Sequence, residues 1–140
     1  MDINLLDGQI LDGRYVIQSK IGEGGMGAVY RAVDNRNLNR AVALKVISSK
    51  NQFFNTESAH LRLKREKEAY LRITHPNVVQ IYDSGSTPEG DLYIVQEFIA
   101  GESLESFLKK RKQASFEDIC WIVPQVAAAL EAAHSEGIIH

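Results

Sequence analysis

Residues 21–29, with the sequence Ile-Gly-Glu-Gly-Gly-Met-Gly-Ala-Val, decide the fold predicted for this chain. They fit the pattern G-x-G-x-x-G-x-V, in which glycines let backbone N–H groups approach phosphate oxygens closely. Residues 28–33 are rich in β-branched and aromatic side chains and predict a strand. A dinucleotide-binding loop joins a strand to a helix, so this strand argues against a dinucleotide oxidoreductase. The loop is predicted to cover phosphates as a flap between two strands; a glycine-rich hairpin without a ligand is the alternative.

Composition excludes several classes of protein. The 140 residues are 44% hydrophobic and 24% charged, which excludes collagen-like, coiled-coil and wholly disordered chains. A net charge of -2 argues against a dedicated nucleic-acid binder. No apolar run approaches the roughly 20 residues that span a bilayer, and the acidic N-terminus does not resemble a signal peptide. The single cysteine, Cys120, fits a reducing compartment, so we expect a cytoplasmic location, or the cytoplasmic side of a membrane-tethered full-length protein.

The order of predicted elements indicates an α+β fold. Strands are predicted at residues 15–21, 28–33, 41–47, 78–82 and 92–99, and helices at 56–74, 104–112 and from Ser115 to about Ser135. Residues 1–14 are predicted to form a loosely packed arm. The strands should form a five-stranded antiparallel sheet with one main helix, followed by the first helices of a helical layer.

Two charged residues in apolar surroundings are predicted to pair. Lys45 is the only charge in the strand 41–47 and shares a strand face with Ala43. Glu66 falls on the apolar stripe of the helix 56–74, whereas Glu68 falls on its charged face. A buried carboxylate or ammonium is costly unless it is paired, so Lys45 and Glu66 are expected to meet near the glycine loop. Taken alone, each has a structural interpretation, such as a lysine on an edge strand that reaches water.

At this point the sequence resembles the protein kinase family, and bacterial serine/threonine kinases most of all. The resemblance runs from about Tyr15 to His140 and covers nearly the whole chain. Its motifs occur in the family's order: the glycine loop Gly22 to Val29, Val42-Ala43-Leu44-Lys45, Glu66, His75-Pro76-Asn77, the strand and hinge Tyr93 to Ile99, Gly101-Glu102-Ser103-Leu104, and Gly137-Ile138-Ile139-His140.

The resemblance implies an ATP site and a role for each of its residues. The glycines of the loop would cover the phosphates: Gly22, Gly24, Gly25 and Gly27. The side chains of Ile21, Val29 and Ala43 would sandwich the adenine from above, with Gln96 as the gatekeeper behind it. Backbone groups of Glu97 and Ile99 would bind the adenine edge, and Glu102 could reach the ribose. Lys45 would hold the α- and β-phosphates while paired with Glu66.

The resemblance also implies a domain plan, with an N-terminal arm at 1–14, the kinase N-terminal lobe and hinge at 15–99, and the start of the helical lobe at 100–140. The implied function is transfer of the ATP γ-phosphate to protein serine or threonine hydroxyls, with Mg as the second cofactor. The catalytic aspartate and the Mg ligands are expected after His140. We therefore expect this chain to be a fragment that is inactive alone, and it contains no predicted metal ligand.

The resemblance leaves one alternative function open, a pseudokinase or a nucleotide-binding interaction module without phosphotransfer. The sequence does not identify a protein substrate. On the last helix an apolar stripe is expected to lack a partner, and therefore to drive self-association, to leave the helix frayed or to recruit a partner. Its residues are Ile119, Ile122, Val123, Val126, Leu130 and Ala133.

Overall fold

The computed structural model describes residue 5 and residues 7–24, 27–47 and 71–139. These residues form six strands: β1 (Ile10–Leu11), β2 (Tyr15–Gly24), β3 (Gly27–Asp34), β4 (Arg40–Ile47), β5 (Ile81–Ser86) and β6 (Leu92–Glu97). Two helices follow, α1 (Leu104–Arg111) and α2 (Phe116–Ser135). The strands form one antiparallel sheet in the order β1-β2-β3-β4-β6-β5. The predicted α+β class is confirmed, but the sheet has six strands where five were predicted.

The additional strand lies in the segment predicted to be a loose arm. Ile10 and Leu11 pair with Val16 and Tyr15, and Leu11 is 2% exposed. The chain reverses at Asp12 and Gly13, whose φ angles are +51° and +60°. An Asp-Gly pair favours a tight hairpin, because both residues tolerate positive φ. Residues 10–11 are therefore part of the sheet, and Leu11 is part of its core, whereas Ile10 is exposed.

The segment after the first predicted helix also differs from the prediction. Residues 71–72 are helical, and the rest of the helix predicted at 56–74, including Glu66, lies outside the described residues. The strand predicted at 78–82 begins only at Ile81. Residues 76–77 form a turn in which the Val78 amide donates to the His75 carbonyl at 3.0 Å. Pro76 favours this turn because it cannot donate a strand hydrogen bond.

The two described helices follow the sequence closely. Helix α2 begins with the predicted capping box, in which Ser115 Oγ accepts from the Asp118 amide at 3.1 Å and Asp118 Oδ2 accepts from the Ser115 amide at 2.9 Å. The helix continues through Pro124, and Gly137 follows its end with a φ of +75°. Neither described helix contains a buried residue, and neither is long and apolar enough to cross a membrane.

The core lies on one face of the sheet. Tyr30, Leu44 and Val95 form one cross-strand row of β3, β4 and β6, and all three are completely buried. Burial of each large apolar side chain contributes about 1.5–3 kcal/mol. Neighbouring rows extend the same core, with Tyr15, Ile17, Ala28, Ala32, Val42, Val46 and Tyr93.

A partly buried ion cluster connects three strands at one end of the sheet. Arg14 Nε and Nη2 donate to the two oxygens of Asp34 at 2.8 Å each, and Arg14 Nη1 donates to Asp83 Oδ2 at 2.9 Å. The Tyr15 hydroxyl donates to the same Asp83 oxygen at 2.8 Å. Asp34 is 1% exposed, and the hydrogen bonds from Arg14 hold the pKa of its carboxyl below the ordinary value. The pKa of Tyr15 is raised, mainly because the ring is buried and also because its hydroxyl donates to Asp83.

Candidate nucleotide-binding site

The glycine loop connects two antiparallel strands. β2 and β3 form a hairpin in which Glu23 lies opposite Ala28 and Gly24 lies opposite Gly27. Gly25 and Met26, between the paired ends, lie outside the described residues. The strand predicted after Gly27 is present, so the helix that a dinucleotide-binding loop requires at this position is excluded.

Steric packing requires glycine at only one described position of the loop, Gly27. Gly27 has a φ of +149°, and a Cβ there would lie 1.9 Å from the backbone oxygen of Val46. The close approach of β3 and β4 therefore requires glycine at this position. A Cβ on Gly24 would meet no atom within 4 Å, and one on Gly22 would make an ordinary contact of 3.8 Å with Val29 Cβ. Packing within the described residues therefore gives no reason for glycine at positions 22 and 24.

Four predicted site residues share the face of the sheet opposite the core. Val29 lies opposite Lys45, and Ala43 lies opposite Gln96. Directly opposite residues of antiparallel strands project to the same face, and residues two apart on one strand do the same. Ala43 is buried, whereas the other three are half-buried. The fold thus provides an apolar surface with one ammonium group at its edge, next to the glycine hairpin.

One other predicted residue, Ile21, is less closely integrated into this face. Ile21 falls at an irregularity of the β2–β3 ladder, between Lys20 and Gly22, and is 49% exposed. Glu66, the expected partner of Lys45, lies outside the described residues, so the Lys45–Glu66 pair stays a prediction.

The last residue of β6 and the segment that follows it present backbone groups beside this face. The Glu97 amide donates to the Gln80 carbonyl at 2.8 Å and is therefore engaged within the protein. Residues 98–100 have no regular structure, and Ile99 is 59% exposed.

A comparison with known protein families shows to which family this fold belongs. A family model for the protein kinase domain matches residues 15–140. The chain belongs to the protein kinase family. The resemblance drawn from its motifs is confirmed, and the sheet described above corresponds to the kinase N-terminal lobe.

Bacterial proteins are among the relatives of this kinase chain. It is 41% identical over 134 residues to a protein of Clostridium acetobutylicum named "Probable serine/threonine-protein kinase", and the match covers 95% of this chain and 20% of the relative. It is 36% identical over 137 residues to the serine/threonine-protein kinase PknA of Mycobacterium tuberculosis, covering 95% of this chain and 31% of PknA. The chain thus spans between a fifth and a third of the length of these relatives.

A solved structure shares the fold of this kinase chain. The crystal structure of the Mycobacterium tuberculosis PknI kinase domain matches with a TM-score of 0.82 at 28% sequence identity. The match covers 98% of this chain and 54% of the PknI chain.

The kinase residue Glu102, predicted to reach the ribose, is held elsewhere in this structure. Its carboxylate accepts from Lys110 Nζ at 2.5 Å, and this hydrogen bond lowers the pKa of Glu102. Glu102 stands just before Ser103, whose Oγ caps α1 by accepting from the Ser106 amide at 3.1 Å. The pair is exposed, and exposed ion pairs are weak. Contact with a ribose would therefore require Glu102 to exchange Lys110 for the sugar hydroxyls.

One contact of the hinge was not anticipated from the sequence. The Arg31 guanidinium lies over the Phe98 ring, 5.0 Å from its centroid. Part of this contact could be predicted from the sequence, because Arg31 is two residues after Val29 and must lie on the same face of the strand. The other part, the approach of residue 98, depends on the register of β4 and β6.

The described part of the kinase chain offers no evident magnesium site. Across residue 5 and residues 7–24, 27–47 and 71–139, no group of three or more His, Cys, Asp or Glu side chains could hold a metal ion.

Proposed function

We propose that this chain is the ATP-binding portion of a protein serine/threonine kinase that transfers the γ-phosphate of ATP to protein serine or threonine hydroxyls. The observation that carries the proposal is the strand register, which supports a single nucleotide-facing surface built from Val29, Ala43 and Lys45. Membership of the protein kinase family and the serine/threonine kinases among the relatives support the same activity.

The described residues fit an adenine ring. Ile21, Val29 and Ala43 would contact the ring from above, since an aromatic base favours contact with apolar side chains. The adenine edge carries one amino donor next to one ring acceptor. The Glu97 carbonyl would accept from the amino group and the Ile99 amide would donate to the ring nitrogen. Gln96, beside Ala43, would close the back of the pocket as the gatekeeper.

The phosphates would lie between the glycine hairpin and Lys45. Positions 22 and 24 are glycine without a steric reason in the described residues, which favours close approach of a ligand to their backbone. Gly25 would contribute to the same cover. Lys45, half-buried on β4, would place its ammonium group on the phosphates, and Glu66 would hold it there. ATP with Mg is the expected cofactor pair, with the metal ligands expected after His140.

Alone, the 140-residue chain is proposed not to transfer phosphate, because the family's catalytic aspartate is expected after His140. The domain boundaries proposed from the sequence, 1–14, 15–99 and 100–140, and a cytoplasmic location belong to the same proposal. A protein substrate is part of the proposed activity, but the described surfaces do not identify it. The alternative function is a pseudokinase or interaction module that keeps the nucleotide and transfers nothing.

Phosphotransfer by the full-length kinase tests the proposal. Labelled ATP is supplied with a generic serine- and threonine-containing protein, and the transferred label is measured for the wild type, Lys45→Met and Lys109→Met. Lys109 is a matched control, because it is exposed on α1 and pairs with Glu105 at 2.6 Å. We expect Lys45→Met to lose about 10²–10³-fold or more in rate, with an unchanged unfolding midpoint, and Lys109→Met to retain wild-type rates.

Wild-type turnover in Lys45→Met would contradict the assignment of this lysine. A full-length wild type that binds ATP and transfers no phosphate would support the pseudokinase alternative.

A further inference from the structure

The Arg31–Phe98 stack lies at the edge of the proposed adenine pocket. The guanidinium carbon of Arg31 is 5.0 Å from the Phe98 ring centroid, within the range of a cation–π interaction. Arg31 is exposed and Phe98 is half-buried, so the stack lies at the protein surface. The two residues are 67 positions apart in the chain, and they join the second strand of the glycine hairpin to the hinge.

The sheet register shows why these two side chains meet. Arg31 lies opposite Ala43 on β4, and Ala43 lies opposite Gln96 on β6. Phe98 is two residues beyond Gln96 and continues the same face past the end of β6. The stack therefore stands next to the Ala43–Gln96 pair, which is proposed to contact the adenine.

The hinge is held at two consecutive residues. Its first residue, Glu97, is fixed through its backbone, because its amide donates to the Gln80 carbonyl at 2.8 Å. The second, Phe98, is held through its ring by Arg31. The peptide groups proposed to bind adenine, the Glu97 carbonyl and the Ile99 amide, flank Phe98. The orientation of Phe98 thus limits where both of these groups can point.

We propose that Arg31 is a positioning residue, which sets the hinge backbone for adenine by stacking on Phe98 and so tunes the affinity for ATP. This inference rests on the proposed ATP site. Because the effect acts through the hinge, it should be equal for ligands with and without phosphates. A direct attraction between the Arg31 charge and phosphates would instead affect only phosphorylated ligands.

The test is calorimetric binding of adenosine and of ADP to the full-length kinase. The variants are Arg31→Met, Arg31→Lys, Phe98→Leu and the double variant Arg31→Met/Phe98→Leu, with Arg36→Met as the control. Arg36 is a matched control, since it is an exposed arginine in the β3–β4 turn, just after the end of β3. Arg31→Met should weaken the binding of both ligands by about two- to fivefold. The ligand affinity of Arg31→Lys should lie between those of Arg31→Met and the wild type, because an ammonium group lacks the planar stacking surface of a guanidinium group.

The double variant tests whether the effect of Arg31 on ligand binding depends on Phe98. If Arg31 acts through Phe98, the double variant should bind no more weakly than Phe98→Leu alone, and the unfolding midpoint of Arg31→Met should match that of Arg36→Met. Unchanged binding in Arg31→Met, a loss confined to ADP, or fully additive losses in the double variant would overturn the inference and leave the ATP site standing. A wild type that binds neither ligand would overturn the proposed ATP site, and the inference with it.

Discussion

Gly27→Ala should destabilise the sheet, because the space beside Gly27 is already occupied by backbone. The new Cβ would lie 1.9 Å from the Val46 carbonyl oxygen, about 1 Å inside the 3.0 Å limit below which Cβ contacts essentially never occur. Val46 and Ile47 are 0% and 8% exposed, so β4 cannot move away without disturbing buried side chains. The φ of +149° adds backbone strain of about 1–3 kcal/mol for any residue with a Cβ. Because the surrounding side chains must also repack, we expect Gly27→Ala to lower the free energy of unfolding by about 2–4 kcal/mol.

Urea unfolding followed by circular dichroism measures this loss, and Gly24→Ala is the matched control. Gly24 pairs with Gly27 across the hairpin, and a Cβ there meets nothing within 4 Å. Its substitution should change the free energy of unfolding by no more than about 0.5 kcal/mol. Equal stabilities of the two variants would refute the argument that β4 backbone, and not the loop itself, requires glycine at position 27.

Three further predictions concern the ion cluster, the expected Lys45 partner and the last helix. Asp34→Asn should cost about 1.5–3 kcal/mol in urea unfolding, because it removes charged hydrogen bonds from a buried site, whereas Asp83→Asn, with a side chain 41% exposed, should cost less. The pKa of Asp34 is lower in the folded state than its ordinary value of 3.8, so its contribution to stability is present above that pH and is lost as the pH falls further. In Asp34→Asn, the free energy of unfolding should therefore decrease less steeply over this acidic range than in the wild type. In the full-length kinase, Glu66→Gln should reduce phosphotransfer while Glu68→Gln changes little, and equal kinetic losses would show that the wrong face of the helix was chosen. Self-association of the 140-residue chain through α2 stays a prediction, for which light scattering should give a mass that rises with concentration and falls in Val126→Glu, since Val126 is 50% exposed; a concentration-independent monomer would contradict it.

Local patterns were sufficient to predict the parts of the fold that depend on neighbouring residues. The capping box at Ser115 and Asp118 is a short-range hydrogen-bond pattern, and it is present as predicted. The strand after Gly27 was predicted from β propensity, and its presence distinguishes this loop from a dinucleotide fold. The shared face of Ala43 and Lys45 follows from the alternation of side chains along one strand.

Features that depend on pairing between distant segments were predicted less well. The β1 strand has only two residues, too few for any alternation to be visible, and its signal was the Asp12-Gly13 turn. The register shifts in β2, between Ile17 and Ser19 and between Lys20 and Gly22, cannot be inferred from alternation. The Arg31–Phe98 contact needs the registers of β3, β4 and β6 together, so propensity and periodicity could not reveal it.

The central claim, that the ATP phosphates meet Lys45, is tested most directly by an ATP derivative with an acyl group on its terminal phosphate. A lysine amine held beside the phosphates attacks the acyl carbonyl, forms an amide and releases ATP, and peptide mass spectrometry then identifies the acylated residue. In the full-length kinase we predict fast acylation of Lys45 that excess ATP suppresses. Exposed Lys109 and Lys110, with side chains 74% and 68% exposed, should react slowly and without protection by ATP. Acylation of Lys45 at the same unprotected rate as these two lysines would contradict the claim.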